Sequence, residues 1–460
     1  MRIDKLHIQN FRKFNELTIK FNPQFTLLIG ENGSGKTAIL EATSIAISSF
    51  FLGLQNVPSR NIRDEDIHLI TTLEGSTEYS YTTAIKSDGF INGKLLRWEK
   101  ERRGISANTL YHPAKGQILK TERDIFSTNS YDKEYHSIKH IAQDINKEIK
   151  NPTRTNSVNL PLLVYYSTGR LWKEGWERKD KEDDKIKNIP SRYRGYKNAL
   201  ETSSYFKIML EWFRRKYLAI KVKDEETFQL NAVKSTIIKN IPGCIDIFWE
   251  FDPDKINTLM IKFETDEVLP FSYLSDGYRN LLAIFADIAY RCVTLNPHFK
   301  EEAANLSDGI VLIDEIDLHL HPQWQKEIVK KLRGTFPKLQ FIATTHSPFI
   351  IQEMDEGELF RLEDNHISVL GANQLSIEDI AKFLQGIEEP HWSKSKEQMY
   401  DAAKKYFQVL EELSKSKSEA EINQKREELN LIGRPYSENV AYIAFLEQKR
   451  TLVEEKLKNK

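Results

Sequence analysis

Eight consecutive residues, Gly30-Glu31-Asn32-Gly33-Ser34-Gly35-Lys36-Thr37, follow the pattern G-x-x-x-x-G-K-[ST]. Glycines so spaced let backbone N–H groups turn inward onto phosphate oxygens, with the positive end of a helix behind them. In that pattern the lysine, Lys36, reaches the outer phosphates of a nucleotide, and the Thr37 hydroxyl ligates magnesium. Gly30, Asn32, Gly33, Ser34, Gly35, Lys36 and Thr37 are thus candidate nucleotide-binding residues. A second stretch, Gly309-Ile310-Val311-Leu312-Ile313-Asp314-Glu315, is an apolar run ending in two carboxylates. Such a strand delivers its acids to the carboxyl edge of a sheet, where ligands bind. Asp314 suits magnesium, through water, and Glu315 suits orienting or deprotonating an attacking water.

These residues need a sheet behind them. Phe25 to Ile29 is a continuous apolar run ending in glycine, the pattern of a strand buried on both faces, and Ile310 to Ile313 and Leu339 to Thr344 read as two further buried strands. Thr37 to Leu54 has helical spacing, and Gln323 to Leu332 predicts a helix between two strands. Strand, glycine-rich turn, helix, then strand-helix-strand argues for a mainly parallel sheet. Ile3 to Ile8 and Leu17 to Phe21 read as strands joined by a turn at Asn10-Phe11-Arg12. Thr77 to Lys86 pairs in expectation with Lys94 to Glu101, across turns at Gly89 and Gly93. Leu160 to Tyr166 reads as a buried strand, and Asp246 to Glu250 with Thr258 to Phe263 as a strand pair. Residues 104–160 read as an insertion with a helix around His136 to Lys150, and Glu174 to Lys187 as an exposed charged loop. Ser203 to Tyr217 predicts an amphipathic helix whose Arg214-Arg215-Lys216 suits a helix C-terminus. From Ile377 onward the chain reads as charged helices, with Lys415 to Leu429 as one arm of a hairpin broken at Gly433-Arg434-Pro435. There is no internal repeat.

Leu274-Ser275-Asp276-Gly277-Tyr278-Arg279 precedes an apolar helix, Asn280 to Val293. It resembles the signature motif of ABC-type ATPases, in the variant of the RecF, SMC and OLD-like branch. Serine and glycine before a helix again form an anion-binding turn. The resemblance implies that Ser275, Asp276 and Gly277 meet the γ-phosphate held by a second subunit. Thr344-Thr345-His346-Ser347-Pro348 resembles that branch's switch segment, in which His346 senses the γ-phosphate. Asp317-Leu318-His319-Leu320-His321-Pro322 resembles its dimer-seam loop rather than a metal site, despite its two histidines. Asn10-Phe11-Arg12 resembles its N-terminal segment, where Arg12 approaches the nucleotide. The family's Q-loop glutamine stays open among Gln55, Gln117 and Gln143.

Tyr165-Tyr166-Ser167-Thr168-Gly169-Arg170-Leu171-Trp172, together with these motifs, is similar to the PtuA family, the ATPases of Septu anti-phage systems and of related retrons. That resemblance implies an ATPase beside a separate HNH nuclease of the PtuB kind. The fold expected is a P-loop ABC-type α/β head over residues 1–375, with a mainly parallel sheet and an antiparallel β lobe. Insertions fall at about 60–160 and 172–245, and residues 376–460 form a charged helical region for assembly or docking. The resemblance implies ATP and magnesium as ligands, catalytic roles for Glu315, His346 and Lys36, and a homodimer or higher even-numbered oligomer. The segment between the ATPase halves is too short for an SMC arm, and no TOPRIM acid pattern follows His346, so no nuclease site is expected in this chain.

Composition bounds the alternatives. The 460 residues carry a formal charge of -1, so no whole-molecule field pulls the chain onto nucleic acid or membrane. The two cysteines, Cys244 and Cys292, are too far apart for a C-x-x-C zinc pair. The first residues lack the pattern of a secretory signal, and Ala42 to Leu54 is too short to span a bilayer. A cytoplasmic location without membrane contact is the expectation. Two competing readings are a RecF-like DNA-binding ATPase, using Arg214, Arg215, Lys216, Lys221 and Lys223, and an ATP-held scaffold that does not hydrolyse. Contact with nucleic acid through the complex with the nuclease is a further expectation, and direct contact with this chain stays open.

Overall fold

The computed structural model describes residues 1–71, 76–105, 107–113, 137–151, 158–171, 191–201, 206–223, 227–251, 257–363, 366–371, 375–386, 393–416 and 418–458. The charged run Glu174 to Lys187, Gln117 and Trp172 lie outside these residues. The chain divides into two compact units, Met1–Ile380 and Ala381–Lys460.

The first unit is of the α/β class, a mainly parallel sheet with an antiparallel β lobe. Its central sheet runs in the order His366–Leu370, Leu359–Glu363, Phe25–Ile29, Leu339–Thr344, Gly309–Ile313, Leu162–Tyr166. Every neighbouring pair is parallel except the outermost hairpin, Leu359–Glu363 with His366–Leu370. Four strands, Phe25–Ile29, Leu339–Thr344, Gly309–Ile313 and Leu162–Tyr166, are buried along their full length. That is why they read as unbroken apolar runs. Register lines up their ends: Leu312 lies opposite Ile342, and Ile342 opposite Thr26. Parallel strands in register release their chains at one edge, so the segments after Ile29, Ile313 and Thr344 emerge side by side.

Against this sheet packs the helix Lys36–Ile47, nearly all of whose residues are buried. An antiparallel sheet in the order Phe14–Lys20, Arg2–Phe11, Thr83–Ile91, Lys94–Arg102, Leu110–Pro113 forms the β lobe. The first hairpin turns at Arg12 and Lys13, not at Asn10-Phe11-Arg12, because Phe11 pairs with Phe14 and both rings are buried. The next hairpin turns at Asn92-Gly93, whose two positive φ angles, 50° and 77°, suit a two-residue turn. Gly89 lies within the strand opposite Ile3 instead of in a turn. A third sheet, Cys244–Phe251, Asn257–Phe263 and Val268–Pro270, leads into the helix Asp276–Leu295. The helix Phe206–Lys223 continues seven residues past Lys216, so Arg214-Arg215-Lys216 sits inside it rather than at its C-terminus.

One buried cation staples the β lobe to the chain that follows Lys36–Ile47. Lys100 donates to Ser48 Oγ at 2.8 Å, Ser59 Oγ at 2.7 Å and the Arg60 carbonyl at 2.6 Å. Burial, then the neighbouring Arg60 charge, lowers its pKa to about 7. Unfolded, the same lysine keeps its proton to about 10.5. Between those values the unfolded chain binds more protons, so stability rises with pH across that window and the charged form burdens the fold below it. Lys100→Met should flatten this rise. Urea midpoints measured from about pH 7 to pH 10 check it, and an equally steep rise in the variant would contradict it.

The second unit contains the helices Lys394–Lys415, Glu419–Gly433 and Val440–Lys458 around Tyr406, Val409, Leu410, Leu413, Leu429 and Leu446. Lys415 ends the first helix, so the hairpin arm begins at Glu419. Among the described residues no helix is long and apolar enough to cross a membrane.

Candidate nucleotide site

The loop Gly30–Lys36 leaves the strand Phe25–Ile29 and enters the helix Lys36–Ile47. Gly35 has φ 103°, and a Cβ there would stand 2.4 Å from Phe14 Cζ. Only glycine meets both the left-handed backbone and the close ring. Gly35→Ala should cost about 1–3 kcal/mol of stability, read as a lower thermal midpoint; an unchanged midpoint would contradict this. Lys36 Nζ donates to the carbonyls of Gly30 at 2.7 Å and Glu31 at 3.0 Å. Burial lowers its pKa, while Asp314, Glu315 and Asp317 pull it back up and Lys13 adds to the lowering. Lys13 also ties down the loop, donating to the Gly33 carbonyl at 3.0 Å.

Asp314 is buried at the end of Gly309–Ile313. One of its oxygens accepts from Thr37 at 2.9 Å and the other from Thr344 at 2.7 Å. The Thr344 hydroxyl in turn accepts from the Glu315 backbone N–H at 2.7 Å. Glu315 itself holds a left-handed φ of 47°, uncommon outside glycine and a form of strain that clusters at functional sites. The structure therefore brings Lys36, Thr37, Asp314 and Glu315 to one sheet edge. His346 follows two residues after Thr344 and is exposed. Partial burial and then the Lys36 charge lower its pKa, against Asp317, Glu315 and Asp314.

Behind His346 a relay of hydrogen bonds runs to another element. Thr345 Oγ1 donates to Asp317 at 2.5 Å and accepts from the Ser347 N–H at 3.0 Å. Asn280, on Asp276–Leu295, donates to the Leu318 carbonyl at 2.6 Å. Gln325 donates to the Leu320 carbonyl at 2.7 Å and accepts from Ser347 at 2.6 Å. The seam loop is thus fixed between the switch segment and the helix that opens at Ser275.

Ser275 is the N-cap of that helix, is exposed, and makes no side-chain capping bond. A Cβ on Gly277 would lie 2.8 Å from the His319 carbonyl and 3.0 Å from Trp324, so this turn needs glycine for close approach. Asp276 pairs with Arg279. Among the described residues, no hydrogen bond or ion pair joins Ser275, Asp276 or Gly277 to the Gly30–Thr37 loop of the same chain. Arg12 is held by two carboxylates, Glu41 and the buried Asp66, with Nε 3.0 Å from Asp66. Glu41 stands one helical turn after Thr37 and also pairs with Arg60 at 3.2 Å. Burial raises its pKa and the two guanidiniums lower it. Neither Gln55 nor Gln143 hydrogen-bonds to the loop.

The residues fit a triphosphate with magnesium. Ser34 Oγ is buried in the loop with no hydrogen-bond partner, a polar atom left for a ligand. Thr37 and Asp314 are oxygen donors of the kind magnesium takes. Lys13, Glu41 and Asp66 escaped the sequence motifs; a lone acid within the apolar stretch after Thr37 was the available signal for Glu41.

Comparison with known proteins agrees with this architecture. The chain is 28% identical over 402 residues to "Retron Vc95 probable ATPase" of Vibrio cholerae serotype O1 biovar El Tor, covering 76% of this chain and 71% of that one. It is 26% identical over 429 residues to "Retron Ec83 probable ATPase" of Escherichia coli, covering 79% and 72%. It is 26% identical over 405 residues to "Septu protein PtuA" of Bacillus thuringiensis, covering 84% and 85%. Residues 25–352 match the model of the family described as "AAA domain, putative AbiEii toxin, Type IV TA system", and the chain belongs to that family.

Proposed function

We propose that this protein binds and hydrolyses ATP at sites shared between two copies of the chain, and that the ATP-held assembly controls a separate nuclease in anti-phage defence. The observation that carries the reading is the bonded set Thr37–Asp314–Thr344, with Lys36 and Glu315 beside it, at one edge of three adjacent parallel strands. The relatives' names support an ATPase of the Septu and retron kind. The nuclease, of HNH type, follows from the resemblance to the PtuA family.

Lys36 exchanges its two carbonyl partners for β- and γ-phosphate oxygens, and a bound polyphosphate favours its charged form. Magnesium held by Thr37 and Asp314 would neutralise charge developing on the phosphates. Glu315 positions the attacking water and accepts its proton. His346, whose pKa burial and the Lys36 charge lower, donates an N–H toward the γ-phosphate, an anion that works against that lowering. Ser275 and Gly277 of a second copy close the other side of the phosphate, with the seam loop between them. The γ-phosphate then acts as the link, since without it the exposed turn has no anion to bind. A membrane plays no part in this scheme.

Lys36→Ala should weaken ATP binding about 10- to 100-fold, the loss of a charge-assisted contact. Equilibrium titration with a fluorescent ATP analogue checks it. Unchanged affinity would move the nucleotide elsewhere.

A further inference from the structure

A second cleft of about 630 Å³ opens in the same unit, between the turn Ser191–Tyr196, the helix Phe206–Lys223 and the later turns of Asp276–Leu295. Its volume falls within the range of small-ligand sites. Its walls combine two chemistries. Trp212 is half-buried and leans at 53° on the buried Tyr290, ring centroids 5.0 Å apart, so Trp212 supplies the open face of an aromatic wall that Tyr290 backs. Around them stand Arg194, Lys197, Arg215 and Lys216. Glu211 is the one carboxylate among the described lining residues, and it pairs with Arg215. The Arg194 side chain is exposed, makes no hydrogen bond or ion pair with a described residue, and lines the cleft together with Tyr290. Lys216 meets the neutral amide of Gln229 rather than an acid.

Positive charge therefore exceeds negative charge in a recess with an aromatic wall. Its ligand needs an anion and a flat ring within one residue's length. Stacking on Trp or Tyr tolerates any base, and arginine and lysine hold the phosphate. The basic cluster of Phe206–Lys223 has no helix end to explain it, because the helix runs on to Lys223.

We propose that this cleft binds a nucleotide unit, its base against Trp212, which Tyr290 supports from behind, and its phosphate among Arg194, Arg215 and Lys216. The unit comes either from a single strand of nucleic acid or from a free mononucleotide. The site does not depend on the phosphate loop. It lies against the helix that begins after Ser275, whose Arg291 donates to the Gly195 carbonyl at 2.6 Å beside the cleft.

The test uses the full chain carrying Lys36→Ala, which weakens the phosphate loop, and three probes whose binding is counted at the cleft only where Arg194→Glu with Arg215→Glu lowers it: a fluorescein-labelled single strand of about 20 nucleotides, AMP and inorganic pyrophosphate. The strand or AMP should bind at ~100 µM or below, with affinity falling as salt rises. Tighter binding of the strand names nucleic acid as the source, and tighter binding of AMP names a free nucleotide. Adding Arg194→Glu with Arg215→Glu, both at exposed positions, should weaken binding at least about tenfold. Trp212→Leu should weaken the strand or AMP by about tenfold, with far-UV circular dichroism unchanged. The proposal is overturned if neither ligand binds. It is equally overturned if pyrophosphate binds as tightly as AMP or the strand, or if the charge reversals leave affinity unchanged.

Discussion

Ser275→Arg should abolish ATP-dependent association while each chain still binds ATP. Ser275 is exposed, caps its helix without a side-chain bond, and has no bonded link to its own phosphate loop. A long cation there disturbs no buried contact of the single chain, but it blocks the close approach of the turn to a phosphate in a partner. Lys36, Thr37 and Asp314 are untouched, so ATP affinity of the separated chain should stay within about twofold. Sedimentation with ATP and magnesium reads the loss of the dimer, and turnover should fall at least about 100-fold. A variant that still associates and turns over like the parent would remove the turn from the site.

Glu315→Gln should leave ATP binding and association intact and cut turnover about 10²- to 10⁴-fold, the range for losing a general base. The substitution keeps shape and hydrogen-bonding length. It leaves the Glu315 N–H to Thr344 bond in place, since that bond belongs to the backbone. The two substitutions therefore have opposite signatures. One prevents association and with it turnover, and the other holds the associated state by stopping turnover. If Glu315→Gln loses association as well, Glu315 holds the loop rather than serving the water.

The strands that carry the site were legible because burial on both faces leaves a largely apolar run, and each run stops at a glycine or a polar residue, Gly30, Asp314 or Thr344. Phe25–Ile29, Gly309–Ile313 and Leu339–Thr344 all have that form. Their order was not legible. Leu339–Thr344 lies between the other two, and nothing local in its sequence says so, since parallel pairing is set by contacts across hundreds of residues. The same limit hid the Arg12, Glu41, Arg60 and Asp66 group, whose members come from separate elements. Gly89 reads as a turn because glycine usually breaks a strand, yet here the Arg2 carbonyl would lie 2.4 Å from any Cβ at that position. Arg214-Arg215-Lys216 reads as a helix end because cations favour that place; the residues Tyr217 to Lys223 carry the helix onward. The hydrogen-bond relay from Thr345 through Asp317 to Asn280 needed coordinates, because its side chains come from three segments.

The most direct measurement is ATP turnover in an equal mixture of two inactive variants, Lys36→Ala and Ser275→Arg. Each mixed dimer pairs the intact Lys36 of one copy with the intact Ser275 of the other in a single composite site. Neither variant builds an intact site with itself, so turnover comes from mixed dimers alone, each with one intact site of two, and should return to at most about half of the wild-type level, far above either variant by itself. A mixture as inactive as its two parts would mean that each chain builds its site alone, and the shared pocket would be wrong.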